Sequence, residues 1–414
     1  MTSQLRIDPG TPVDKEATTG ISIDRLRTII QDSHLNFLIG AGTSAPFFEP
    51  LGDVEKALTA LRTTDEETRL ARASVQGYFF QKVLAPNARL LNAQGDAGAQ
   101  SLIKTYARFF AVLNRVLLRR RSTLLGKQVN LFTTNVDMTS EVALELLEID
   151  TNDGFSGKIR PRLDLGEYST LRYRQGGRFE YRSEIPTVNL FKIHGSAAWR
   201  GEGGDIYFDH QLKLVQRVEV AYEAARSSLI RITRPAQVDA GRLKKRAVGQ
   251  VRSDEVKDFV KAYSRLQIVN PEKTKFASTV LNKTYYELLR RFANELEKEN
   301  SALFVHGFSF RDEHLLDLVT RAAATNPTLQ VIVFCYDRDS CKEIKQLFPM
   351  ERVKNGNILF VRPVEPEKEE DERKLSLGTV VEDFLEQVLI EKTPSPDHII
   401  ELKLDSAVGA SASV

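Results

Sequence analysis

Four short apolar runs, each stopped abruptly by a small or polar signature, constrain this chain more than any other feature. Asn36-Phe37-Leu38-Ile39 runs into Gly40-Ala41-Gly42-Thr43-Ser44. Val129-Asn130-Leu131-Phe132 runs into Thr133-Thr134-Asn135-Val136-Asp137. Val188 to Ile193 ends at Lys192-Ile193-His194-Gly195-Ser196, and Ala302 to His306 ends at Gly307-Phe308-Ser309-Phe310-Arg311-Asp312-Glu313-His314. Runs this short and this apolar read as strands covered on both faces. Between them lie segments with helical spacing. Leu102, Tyr106, Phe109, Phe110, Leu113, Val116 and Leu117 make one apolar face over Ser101–Leu125. Phe276, Val280, Leu281, Leu288, Leu289, Phe292 and Leu296 make another over Lys275–Lys298. Strand–helix alternation predicts an α/β fold: a Rossmann-like parallel sheet with helices on both faces.

The pattern divides the chain. Residues 1–20 read as a flexible N-terminal arm and 399–414 as a C-terminal tail. Residues 21–398 form the main domain. Two stretches interrupt it: a helical insertion at about 53–125, and a smaller mixed unit at about 151–260, rich at first in Gly, Arg and Tyr. Leu266–Val269, Leu329–Tyr336 and Ile358–Val361 read as further strands, and Asp312 as the cap of a following helix.

With 414 residues and 42% hydrophobic content, the chain can bury a large core. A net charge of +2 gives no global attraction to nucleic acid or to an anionic membrane. The basic stretches Arg160–Arg182 and Arg242–Arg246 read as solvated faces, leaving direct nucleic-acid binding open. Cys335 and Cys341, the two cysteines, cannot make a disulfide framework or a four-cysteine zinc site, and fit a reducing compartment. No apolar run is long enough to span a bilayer. The expectation is a cytoplasmic protein without metal.

Each signature carries a possible chemistry beside a structural reading. Gly40-x-Gly42 after a strand meets the context of a dinucleotide loop: Gly40 for the turn, Gly42 for close approach of backbone to a pyrophosphate. Thr43 and Ser44 can donate to phosphate oxygens. The same residues also suit a plain strand-to-helix turn. Asn135 can hold a water or a ribose hydroxyl, and Asp137 can accept from a carboxamide or steady a developing cation; both also favour Asx turns. His194 can take a proton near neutral pH, or be structural. Gly307 allows close backbone approach, and Ser309 can bond ribose or phosphate.

Taken in this order, the signatures resemble the sirtuin-like superfamily, in which a Rossmann-type sheet binds NAD. The resemblance covers roughly Ile21 to Val388, with the insertion and residues 151–260 poorly matched. It implies that Asn135 and His194 form the catalytic pair, and that Gly40, Ala41, Gly42, Thr43, Ser44, Asp137, Asn270, Gly307 and Ser309 hold NAD as substrate. The chain departs from the protein deacetylases of that family, because it cannot build their zinc module and carries the helical insertion. It is closer to bacterial antiphage-defence NADases, above all the sirtuin-like subunit of sirtuin–HerA systems. The implied activity is NAD+ hydrolysis to nicotinamide and ADP-ribose, controlled by homo-oligomerisation or by a HerA-type ATPase. A protein deacylase and a non-catalytic NAD or ADP-ribose sensor are the alternatives.

Overall fold

The structure, a computed structural model, describes residues 6–9, 22–50, 52–62, 65–120, 125–177, 181–269, 279–363 and 373–389. Its centre is an eight-stranded sheet in the order Arg6–Pro9, Ile358–Arg362, Gln330–Phe334, Ser301–His306, His34–Ile39, Gln128–Thr133, Thr187–Lys192 and Thr151–Asn152. Seven of these strands are parallel, as the alternating pattern requires. Arg6–Pro9 alone runs antiparallel, at one edge against Ile358–Arg362. Those four residues therefore belong to the sheet, although the segment reads as an arm.

The central parallel strands are buried on both faces, and side-chain alternation assigns each residue to a side. Leu35, Phe37, Ala302 and Phe304 enter one core, with the insertion helices. Leu38, Leu303 and Val305 enter the other, with the helix Thr279–Glu297 and the helix Glu313–Thr325. Strand order reverses direction beside His34–Ile39. The chain goes next to Gln128–Thr133 on one side and reaches Ser301–His306 on the other only much later. Such a switch point opens a crevice at the carboxyl ends of the strands.

The insertion is helical, as its pattern indicates: Gly52–Ala60, Glu66–Phe79 continued by a π turn to Leu84, Asn87–Leu91 and Ala97–Arg119. Asp96 caps the last of these by accepting from the Ala99 N–H, 3.0 Å away. Its apolar face lies on the sheet, where Phe109 meets Phe37 edge-on at 5.3 Å between ring centroids.

The smaller unit is a five-stranded antiparallel sheet in the order Leu266–Ile268, Gly195–Glu202, Asp205–Phe208, Arg162–Leu163 and Phe155–Ser156. Tyr173–Gln175 and Arg182–Glu184 pair as a separate two-stranded antiparallel sheet. Leu266–Ile268 joins this second sheet rather than the parallel one, pairing with Gly195–Glu202. Three residues of apolar strand do not encode which sheet will take them. Among the described residues, no helix is long and apolar enough to cross a membrane.

Candidate functional site

The carboxyl ends of four adjacent parallel strands, at Ile39, Thr133, Lys192 and His306, open onto one cavity of about 400 Å³. Ala41, Gly42, Ser44, Asn135, Asp137, His194, Gly307 and Ser309 all line it. Signatures as far apart in sequence as Gly42 and Gly307 therefore meet in space. Gly40 and Thr43 do not reach the wall, and Asn270 lies outside the described residues, next to Val269, which does line the cavity.

The floor is made by two interlocked turns. Gly40 N–H donates to His306 O at 3.0 Å and Gly42 N–H to Gly307 O at 2.9 Å. A Cβ on Gly40 would fall 2.4 Å from Gly307 O, and one on Gly307 would fall 2.3 Å from Thr43 N. Gly307 also has φ +64°, a region that favours glycine. Close approach of backbone is thus the reason for these glycines, but the group approached is the opposite turn of the protein.

Thr43 is turned beneath the floor. Its hydroxyl lies 2.9 Å from Nδ1 of His306 and 3.0 Å from His306 O. His306 Nε2 lies 3.1 Å from Leu375 O. A carbonyl only accepts, so Nε2 carries the ring proton and Nδ1 accepts. Burial holds His306 well below the usual imidazole range, at about 4.

Ser44 is a hub rather than a spare phosphate donor. Its Oγ is 2.8 Å from Tyr106 Oη, accepts from Asn135 Nδ2 at 3.2 Å, and donates to Asp137 Oδ2 at 3.4 Å. Tyr106 comes from the insertion helix Ala97–Arg119 and is buried. This fixes the Asn135 amide nitrogen. The Asn135 amide oxygen is buried with no hydrogen-bond partner among the described residues. A buried acceptor on a cavity wall suits a donor such as water or a ribose hydroxyl. Asp137 Oδ1 accepts from Thr139 N–H at 2.9 Å, so it does form an Asx turn, while the residue still lines the cavity.

His194 is half-buried. Its Nε2 is 3.3 Å from Asp312 Oδ2, within ion-pair reach but without an aligned hydrogen bond. Asp312 divides its carboxylate: Oδ1 accepts from the N–H groups of His314 and Leu315, capping the helix Glu313–Thr325, and Oδ2 faces the imidazole. A histidine this close to a carboxylate has the chemistry of a general base. The cap was legible from the sequence, but the contact with His194 was not. His314 is exposed on the first turn of that helix, away from the cavity lining.

Further wall comes from side chains no motif marked, Phe48, Glu49, Glu55, Phe79 and Val83, and from Arg311 of the fourth signature. Glu49 is anchored from outside by Tyr78 Oη at 2.8 Å and Lys82 Nζ at 3.3 Å. Among the described residues, the cavity therefore combines an apolar side, carboxylates and one arginine. Among the described residues, no group of three or more His, Cys, Asp or Glu side chains is arranged to hold a metal ion.

Compared with known proteins, the chain matches no protein-family model and no curated protein.

Proposed function

We propose that this protein is an NAD+ glycohydrolase, splitting NAD+ into nicotinamide and ADP-ribose. One observation carries the reading. Asn135, whose amide oxygen is buried and unsatisfied, and His194, backed by Asp312, face the same cavity at the switch point of a Rossmann-like sheet. Water held by Asn135 would add to the ribose carbon that bears nicotinamide, and His194 would take its proton. The carbon–nitrogen bond breaks, and its electron pair neutralises the departing pyridine ring. Positive charge grows on the ribose at that moment, and the carboxylates of Asp137 and Glu49 stand in the wall to steady it. Arg311, in the same wall, is the group suited to phosphate.

On the resemblance of the motifs, the activity serves bacterial antiphage defence by NAD depletion, in a homo-oligomer governed by a HerA-type ATPase. The test is nicotinamide release by purified protein, alone and with a co-encoded ATPase, beside Asn135→Ala and His194→Ala. Release by the parent protein that either substitution abolishes supports the proposal. NAD binding without release under both conditions refutes it in favour of a sensor. Absence of NAD binding removes NAD chemistry altogether.

A further inference from the structure

A buried lysine behind the cavity has no part in the chemistry proposed above. Lys192 ends the strand Thr187–Lys192, two residues before His194, and is 3% exposed. Its ammonium donates to the backbone carbonyl of Asp137 and lies 3.3 Å from Glu141 Oε1. Glu141 sits in the first turn of the helix Thr139–Leu146, which follows the Asn135–Asp137 loop directly. Burial pushes its carboxyl up, and Lys192 opposes that shift. Its Oε2 has no hydrogen-bond partner among the described residues. A buried ion pair with one oxygen unsatisfied is an expensive way to fill space, since apolar side chains of like volume would fill it at less cost.

What the pair secures is an alignment. The loop's Val136 carbonyl accepts from Ala197 N–H at 2.8 Å, beyond His194 in sequence. The next carbonyl, Asp137, is taken by Lys192, before His194 in sequence. The segment bearing His194 thus grips the loop bearing Asn135 at two successive carbonyls. One of the grips is a charged group that Glu141 keeps aimed.

We infer that Lys192, held by Glu141, is a positioning residue that locks the Asn135–Asp137 loop in register with His194. Its kinetic consequence rests on the NAD-cleaving reading, whereas its structural consequence does not. Loss of the clamp lets the Asn135 amide drift relative to the imidazole. A displacement of about 1 Å at a reacting centre costs on the order of 10²-fold in rate.

The experiment compares the full-length protein with Lys192→Met and with Lys192→Met/Glu141→Leu. The single change strands a buried carboxylate and lowers the melting temperature. The double change removes both charges and restores it. Hydrogen exchange is read at residues 134–139, and NAD turnover in parallel. We expect exchange there to quicken at least about tenfold in both variants, as for local opening, with the strand Thr187–Lys192 unaffected. We expect the double variant, stable again, to keep a kcat down by on the order of 10²-fold with KM within about threefold. A merely structural lysine would recover activity along with stability. Unchanged loop exchange, or a stable double variant with parental kcat, overturns the inference. Where the parent protein does not cleave NAD, exchange alone decides: faster exchange upholds the clamp while the NADase reading falls, and unchanged exchange removes the clamp.

Discussion

Lowering the pH should loosen the cavity floor through one residue, His306. In the folded chain it stays neutral down to about pH 4, because burial disfavours the charged ring by more than the hydrogen bond to Leu375 O favours it. Once unfolded, it protonates around 6.5, its ordinary value. The folded pKa is depressed, so the unfolded state binds the proton first as pH falls. The stabilisation is therefore complete above pH 6.5 and is lost progressively between 6.5 and 4. Over the step from pH 7.5 to 5.0, linkage gives a loss of about 2 kcal/mol, approaching about 3 kcal/mol below pH 4. The assay is urea unfolding at pH 7.5 and 5.0 for the parent protein and His306→Gln. The glutamine is destabilising at both pH values, because it disturbs the contact with Thr43, but it binds no proton. Other titrating groups contribute equally to both proteins and cancel. The parent protein should lose about 2 kcal/mol more than the variant over this step. Equal losses would mean that His306 is not held neutral, and the account of the floor would fail.

Two further substitutions separate chemistry from architecture. Asp312→Asn keeps the oxygen that caps the helix and replaces the one facing His194, so stability should move by only a few tenths of a kcal/mol while kcat falls by about 10²-fold. A calorimetric scan beside NAD turnover checks the split, and an unchanged kcat would show that Asp312 does not orient the imidazole. Gly307→Ala places a methyl 2.3 Å from Thr43 N in a backbone region that disfavours it. It should cost more than about 3 kcal/mol, read by urea unfolding, and a change below 1 kcal/mol, roughly the ordinary Gly→Ala range, would show that the turns are not interlocked.

The strands and the loops that end them were legible because each depends on a local pattern: a buried apolar run, then glycine or an Asx residue. That pattern placed Asn135, His194, Gly42 and Ser309 on one sheet edge, where the cavity lies. Partnerships across long sequence distances were not legible. Thr43 reads as a phosphate donor until His306, 263 residues on, takes its hydroxyl. Ser44 reads the same way until Tyr106 arrives from the insertion. Glu49, Phe79 and Val83 follow no motif, because a wall needs only shape and polarity. Asp312 had a sufficient local explanation as a cap, which concealed its second oxygen.

The junction of the Gly42 and Gly307 turns separates what mutation can retune from what it cannot. Main chain meets main chain there, so neither glycine offers a side chain through which variation could act. Phe48, Glu49, Phe79 and Val83, by contrast, stand on segments outside the sheet. Preference among ligands can therefore drift through those walls, residue by residue, while the two turns beneath them stay as they are.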